Sequence, residues 1–194
     1  MRKLILSFCV LVIAVSTQAQ TSYKKRPTLA VNFVLNDFKT ASALRASSLS
    51  SVFNNKDWSR IGQMSAGLGL QFLKGLSEHV DLNTNLQVSF ADYPLPNKPA
   101  ATSESGVLEA DAGVNVKLLP DNYFFTPYVT AGFGASLVKS TFGAYMPLGL
   151  GFQFNLGNQE SFLFTNMQYR VPVTTSSAAY HFNYSIGFAA PIGK

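Results

Sequence analysis

The side chains with chemistry to offer in this 194-residue chain are two histidines, a set of serines and a few charges set among polar amides. His181 with Ser176, Ser177 or Ser185 would supply the base and nucleophile of a hydrolase acting on lipid A or phospholipid, a reaction that also needs a carboxylate within hydrogen-bond reach. No acid lies near His181 in the sequence, and the spacing matches no lipase pattern. These residues therefore read as polar lining, and no enzyme activity is expected. A metal held by histidine is disfavoured because His79 and His181 fall at opposite ends of the strand pattern described below. Gly67-Leu68-Gly69, Gly132-Phe133-Gly134 and Gly149-Leu150-Gly151 have the look of phosphate loops, but each lies inside an alternating segment rather than at a strand-to-helix turn. They read as packing glycines, and no cofactor is expected.

The remaining charges are sparse. Fifteen Lys and Arg and ten Asp and Glu make 13% of the chain, where an ordinary soluble domain carries roughly 25%. Apolar residues are an average 47%, so the missing charges are replaced by Asn, Gln, Ser, Thr and Gly. Such a surface is not built to face water. No run of about 20 apolar residues is present, which excludes a bundle of membrane helices.

The first residues form an export signal. Arg2 and Lys3 are a short basic start, residues 4–15 an apolar stretch too brief to span a bilayer, and Thr17-Gln18-Ala19 a small-residue cleavage site. We read residues 1–19 as a signal peptide and 20–194 as one barrel domain. Cys9, the single cysteine, leaves with the leader, and with it any disulfide or thiolate chemistry. Loss of Arg2 and Lys3 lowers the formal charge from +5 to +3. An exported chain without a basic stripe has no nucleic acid partner.

What must position the charges is a set of strands. Leu29, Val31, Phe33 and Leu35 alternate with Ala30, Asn32, Val34 and Asn36, a period of two that marks a strand with unlike faces. The pattern recurs over residues 64–72, 80–90, 108–118, 126–138, 144–156, 162–171 and 180–190, eight segments in all. Most are long enough for the roughly 9–11 residues that a tilted strand needs to cross a bilayer. Tight connectors at 74–79, 119–125 and 157–161 alternate with long ones at 38–63 and 93–107, as transmembrane barrels require. The connector at 139–143 is the short exception among the loops.

Which face is outside decides the class. A soluble eight-stranded barrel needs Lys, Glu and Arg on its outer face. Here the polar faces carry mostly Asn, Gln, Ser and Gly, with strand charges nearly confined to Asp81, Glu109, Asp111, Lys117 and Arg170. These suit a crowded lumen, with the apolar faces turned to lipid. Aromatic residues gather near strand ends in two girdles, with Phe72, Tyr123, Phe124, Phe154, Phe162 and Phe188 at the turn end. Phe38, Trp58, Phe90, Tyr93, Phe142 and Tyr180 mark the loop end. The expected fold is all-β, an eight-stranded antiparallel up-and-down transmembrane barrel. If residues 80–90 and 108–118 pair with a constant index sum, Asp81 falls opposite Lys117, Asn83 opposite Asn115 and Gln87 opposite Asp111, leaving Arg170 as the cation for Glu109 and Asp111. Residues 39–60 carry Lys39, Arg45, Lys56 and Arg60 against Asp57 alone, with Trp58 beside them. They read either as a solvated mobile loop or as a contact for lipopolysaccharide phosphates. The Leu44, Leu49 and Val52 spacing allows a short helix there, and Lys24, Lys25 and Arg26 read as a solvated tail.

The segments LAVNFVLNDF at 29–38, PLGLGF at 147–152 and YSIGFAAPI at 184–192 resemble the eight-stranded outer-membrane barrel family, specifically the OmpA-like barrel. The resemblance covers nearly all of the chain after the leader. It implies residence in the outer membrane of a Gram-negative bacterium, among lipid and lipopolysaccharide. It also implies insertion by the barrel assembly machinery through the aromatic face Tyr180, Phe182, Tyr184, Ile186 and Phe188. Family roles include structural anchors, adhesins and small pores. Members often continue into a Pro-rich linker and a peptidoglycan-binding domain, which here would lie beyond Lys194. A structural or envelope-anchoring role with a filled lumen is the expected function, a small pore or a surface-binding barrel the alternative.

Overall fold

The computed structural model describes residues 24–94, 105–157 and 160–192. The signal peptide reading lies outside these residues, as does much of the connector at 93–107. Eight strands, β1 (Thr28–Asp37), β2 (Ser65–Gly75), β3 (Val80–Ala91), β4 (Ser105–Lys117), β5 (Phe125–Val138), β6 (Thr141–Asn155), β7 (Phe162–Pro172) and β8 (His181–Pro191), pair antiparallel in chain order. β1 closes on β8. Each strand pairs with its sequence neighbours, so the sheet has no free edge. From Lys74 the paired positions run through Leu82, Val114, Ala131, Leu148, Tyr169 and Phe182 to Asp37, one residue beyond the Asn36–Ser65 pair. The circuit thus returns to β2 displaced along the strand, the stagger that tilts strands in a closed barrel.

The burial is inverted relative to a soluble protein. Arg170, Glu109 and His181 are 0% exposed, whereas Leu68 is 64% and Phe133 71% exposed. Leu29, Leu70, Leu86 and Leu150 lie on the apolar outer wall with them. Only a solvent of hydrocarbon makes this arrangement favourable, because each outward side chain would otherwise forfeit about 1.5–3 kcal/mol of burial. The chain is a transmembrane β-barrel.

Three inward glycines make room for rings. Tyr128 pairs with Gly151, Tyr145 with Gly134, and Phe164 with Gly187, and in each pair the aromatic ring lies over the bare backbone opposite. A Cβ at Gly134 would stand 2.5 Å from Tyr145 Cζ. Gly134→Ala should therefore displace the ring and destabilise the barrel by about 1–3 kcal/mol. Urea unfolding in lipid vesicles checks this, and a cost below ~0.5 kcal/mol would show that the ring does not depend on the gap.

The β1–β2 connector is folded rather than mobile. α1 (Phe38–Ala46) and α2 (Leu49–Asn55) form a cap over the loop end, with Ala41 and Val52 buried beneath them. Asp37 ends β1 and caps α1 by accepting from Thr40 N at 2.9 Å, and also accepts from Ser59 Oγ at 2.5 Å. One carboxylate thus ties both ends of the connector to the barrel rim.

The girdle assignment needs correction at three residues. Phe90, Phe142 and Phe124 do face outward. Tyr93 and Phe162, however, are 1% and 3% exposed and point into the barrel, while Phe38 packs on Tyr93 at 5.2 Å and on His181 at 4.7 Å. Residues just past a strand end are no longer bound by its alternation, and Phe162, the first residue of its strand, takes the inward phase.

Candidate functional site: two ionic tiers in the lumen and a basic cap

Inward positions of all eight strands meet in a mainly polar lumen, which also holds a small apolar cluster around Phe162 and Phe164, and its charges fall into two tiers. At the turn end, Lys117 Nζ lies 2.9 Å from Asp81 Oδ1 and 2.6 Å from Asp121 Oδ2. Lys25 enters the same tier, with Nζ 2.6 Å from Asp81 Oδ2 and 3.6 Å from Asp121 Oδ2, and donates to Gln153 Oε1 at 2.8 Å. Two lysines and two aspartates balance, and all four are nearly inaccessible to solvent.

The second tier sits toward the loop end. Arg170 on β7 places Nη1 2.6 Å from Glu109 Oε2 and Nη2 3.2 Å from Asp111 Oδ2, and donates from Nη2 to Gln87 Oε1 at 3.2 Å. Its guanidinium lies 4.9 Å from the Tyr145 ring centroid, and Tyr145 donates to Asp111 at 3.3 Å. Gln87 Nε2 donates to Glu109 at 2.7 Å and Asn85 Nδ2 to Asp111 at 3.3 Å. Amide pairs run between the tiers, Gln71 to Asn83 at 2.6 Å and Asn83 to Asn115 at 3.3 Å among them. Low-dielectric burial makes each of these bonds matter, since a lost partner leaves a desolvated charge or dipole.

His181 closes the upper tier. Its Nδ1 lies 3.0 Å from the Ala179 carbonyl and its Nε2 3.4 Å from Glu109 Oε1, beneath Phe38, Tyr93 and Tyr145. The fold thus supplies the carboxylate that the sequence neighbourhood lacked. Among the described residues none of the three serines weighed with it hydrogen-bonds to the imidazole: Nδ1 faces the Ala179 carbonyl, Nε2 faces Glu109, and Ser177 Oγ donates to Thr174 at 3.0 Å. Ser185 lies on the inward face of β8 and Ser176 in the β7–β8 connector. His79 is exposed in the β2–β3 turn, at the opposite end of the barrel. Tyr93 accepts from Ala179 N at 3.0 Å, and burial pushes its phenol above the ordinary tyrosine value, so it remains a neutral part of the lid.

Two corrections concern this site. The expected β3–β4 register is off by two residues: Asp81 pairs with Asn115, Asn83 with Gly113 and Gln87 with Glu109. A two-residue shift leaves every side chain on its face, so alternation cannot distinguish the two registers. Lys117 still reaches Asp81 because its long stem spans the diagonal. The second correction is Lys25, which is not a solvated tail residue. Its carbonyl accepts from Gly75 N at 3.0 Å, and that contact turns its side chain into the lumen. Lys25 and Asp121 are the lumen charges that strand periodicity misses, because both lie outside strands. The available signal is electrostatic, an inward Asp81 and Lys117 close to a turn that carries a further acid. Arg26, beside them, makes an exposed ion pair with Glu160 at 2.9 Å.

The four basic residues assigned to lipopolysaccharide are all exposed on the cap. Lys39 and Arg45 belong to α1, Lys56 ends α2 in the left-handed conformation, and Arg60 precedes the short 3-10 turn. Arg45 sets its guanidinium 3.8 Å from the Tyr180 ring centroid.

No protein-family model and no curated protein matches the sequence. Solved structures do resemble the fold. Ail, the attachment invasion locus protein of Yersinia pestis, crystallised with the heparin analogue sucrose octasulfate, aligns over 86% of this chain and 98% of its own with a TM-score of 0.51 and 8% identity. The N-terminal β-barrel domain of Pseudomonas aeruginosa OprF aligns over 86% of this chain and 99% of its own with a TM-score of 0.49 and 10% identity. Closed eight-strand topology, an apolar outer wall and a polar lumen make this chain an eight-stranded transmembrane β-barrel, the fold it shares with Ail.

Proposed function

We propose that this protein is a structural, envelope-anchoring barrel of a Gram-negative outer membrane, with the tight turns in the periplasm and the helical cap outside. The observation that carries the reading is the pair of ionic tiers, which set side chains bonded to several strands at once across the bore of a barrel whose eight strands leave an interior just wide enough for side chains to fill. Its partners in this reading are outer-membrane lipid, lipopolysaccharide at the basic cap and the barrel assembly machinery during insertion. Reconstituted in planar bilayers, the protein should add no stepwise conductance. Regular porin-like steps would overturn the filled-lumen reading, and recovery with the inner membrane on fractionation would overturn the location.

The same reading is non-enzymatic. His181→Ala should leave the lipid A of expressing cells unchanged by mass spectrometry, because no nucleophile is assembled at the imidazole. An acyl-chain change that depends on His181 would establish an enzyme.

A further inference from the structure

Between α1 and the β7–β8 connector lies an open crevice of about 600 Å³, within the roughly 300–1,000 Å³ range of small-molecule sites. One wall is a single strip of α1, since Lys39, Ser42 and Arg45 recur every three residues. Thr175, Ala178, Ala179 and Tyr180 form the other. Both walls are held in place before any ligand arrives. Asp37 pins the start of α1, Phe38 packs on His181, and the Ala179 N–H is fixed to Tyr93.

The crevice brings two cations to one wall. Among the described residues neither Lys39 nor Arg45 forms an ion pair. Arg45 sets its guanidinium carbon 3.8 Å from the Tyr180 ring centroid, which holds the group at the crevice wall, and a guanidinium presents several N–H donors to a doubly acceptor oxyanion. Asp92 also borders the crevice, and Ser42 and Thr175 add hydroxyls. Two cations alone would suit any anion. Two cations with a carboxylate, two hydroxyls and an aromatic ring form a mixed donor and acceptor set, the set that sugar hydroxyls require beside an anionic substituent. Lys39 and Asp92 also border a second crevice of about 550 Å³, which runs down onto the outward Phe90 and Ala66. The site is therefore continuous with the lipid-facing wall.

From this geometry we infer that the crevice between α1 and the β7–β8 connector binds a phosphorylated saccharide, with Lys39 and Arg45 holding the phosphates and Asp92, Ser42 and Thr175 the ring hydroxyls. The inference deepens the lipopolysaccharide contact proposed above and narrows it to two of the four basic residues. Lys56 and Arg60 line neither wall.

The test is calorimetric titration of the full folded chain in non-ionic micelles with three probes: a bis-phosphorylated glucosamine disaccharide, the same disaccharide without phosphate, and inorganic phosphate. The bis-phosphorylated sugar should bind at least tenfold more tightly than either of the others. The Lys39→Gln/Arg45→Gln double variant should lose at least tenfold, while Lys56→Gln/Arg60→Gln stays within twofold, with folding of each verified by its mobility on unheated gels. Inorganic phosphate binding as tightly as the sugar, equal losses in the two double variants, or no binding by the folded wild type would each overturn the site. Nanodiscs with and without lipopolysaccharide separate the two sources of such a sugar. Discs that contain it should block the added disaccharide if the ligand is lipid-borne, and equal binding in both disc types identifies a free saccharide. Micelles impose no orientation or location, so a failed titration leaves the conductance and fractionation results standing on their own.

Discussion

Arg170→Met is expected to destabilise the barrel by about 3–5 kcal/mol, the cost of leaving buried carboxylates without their cation. Glu109 and Asp111 both depend on the one guanidinium, at 2.6 and 3.2 Å, and none of the three is open to bulk water. Removing the acids along with the base should recover much of the loss. In the triple variant Arg170→Met/Glu109→Gln/Asp111→Asn the tier keeps neutral hydrogen-bonding groups and loses its unpaired charges. Equilibrium unfolding in urea from lipid vesicles gives both quantities. A single variant within ~1 kcal/mol of the wild type would mean that the tier is wet enough to be electrostatically irrelevant, and the argument for a filled bore would fall with it.

Leu86→Arg tests the outer wall. Leu86 stands near the middle of β3, 49% exposed on the apolar face, and an arginine at the bilayer midplane costs about 2–4 kcal/mol in a barrel. Leu118, just beyond β4 at the turn end and 69% exposed, should accept the same substitution for about 0–1 kcal/mol. The contrast isolates depth from chemistry, since both changes replace an outward leucine by arginine. Equal costs at the two positions would remove the membrane from the account of this wall.

How much of this was legible in the sequence depends on which physical constraint wrote each feature. Alternation is imposed on every strand residue by the pleat, so the eight strands and their faces can be read from runs such as Leu29 to Leu35 against Ala30 to Asn36. Register is imposed by how the whole circuit closes, and no single strand contains that information. Hence the two-residue error between β3 and β4. The cap was half legible: the bases and a helical spacing were visible, but the tie from Asp37 to Ser59 joins residues 22 apart through a contact with no periodic signature. Tyr93, Lys25 and Asp121 share this limit. Each lies beyond a strand end, and its direction is decided by a tertiary partner rather than by phase.

Lys25 has a consequence for the order in which the molecule can be assembled. Its ammonium is held by Asp81 from β3, Asp121 from the β4–β5 turn and Gln153 from β6, partners 56, 96 and 128 residues away along the chain. No hairpin formed early contains more than one of these groups, and loop-closure entropy makes such distant contacts late. The lysine reaches its full set of partners only once β3, the β4–β5 turn and β6 stand in place. The segment just ahead of the first strand is thereby fixed late, and its seat at the turn end of the cylinder is a mark that the strands through β6 have gathered.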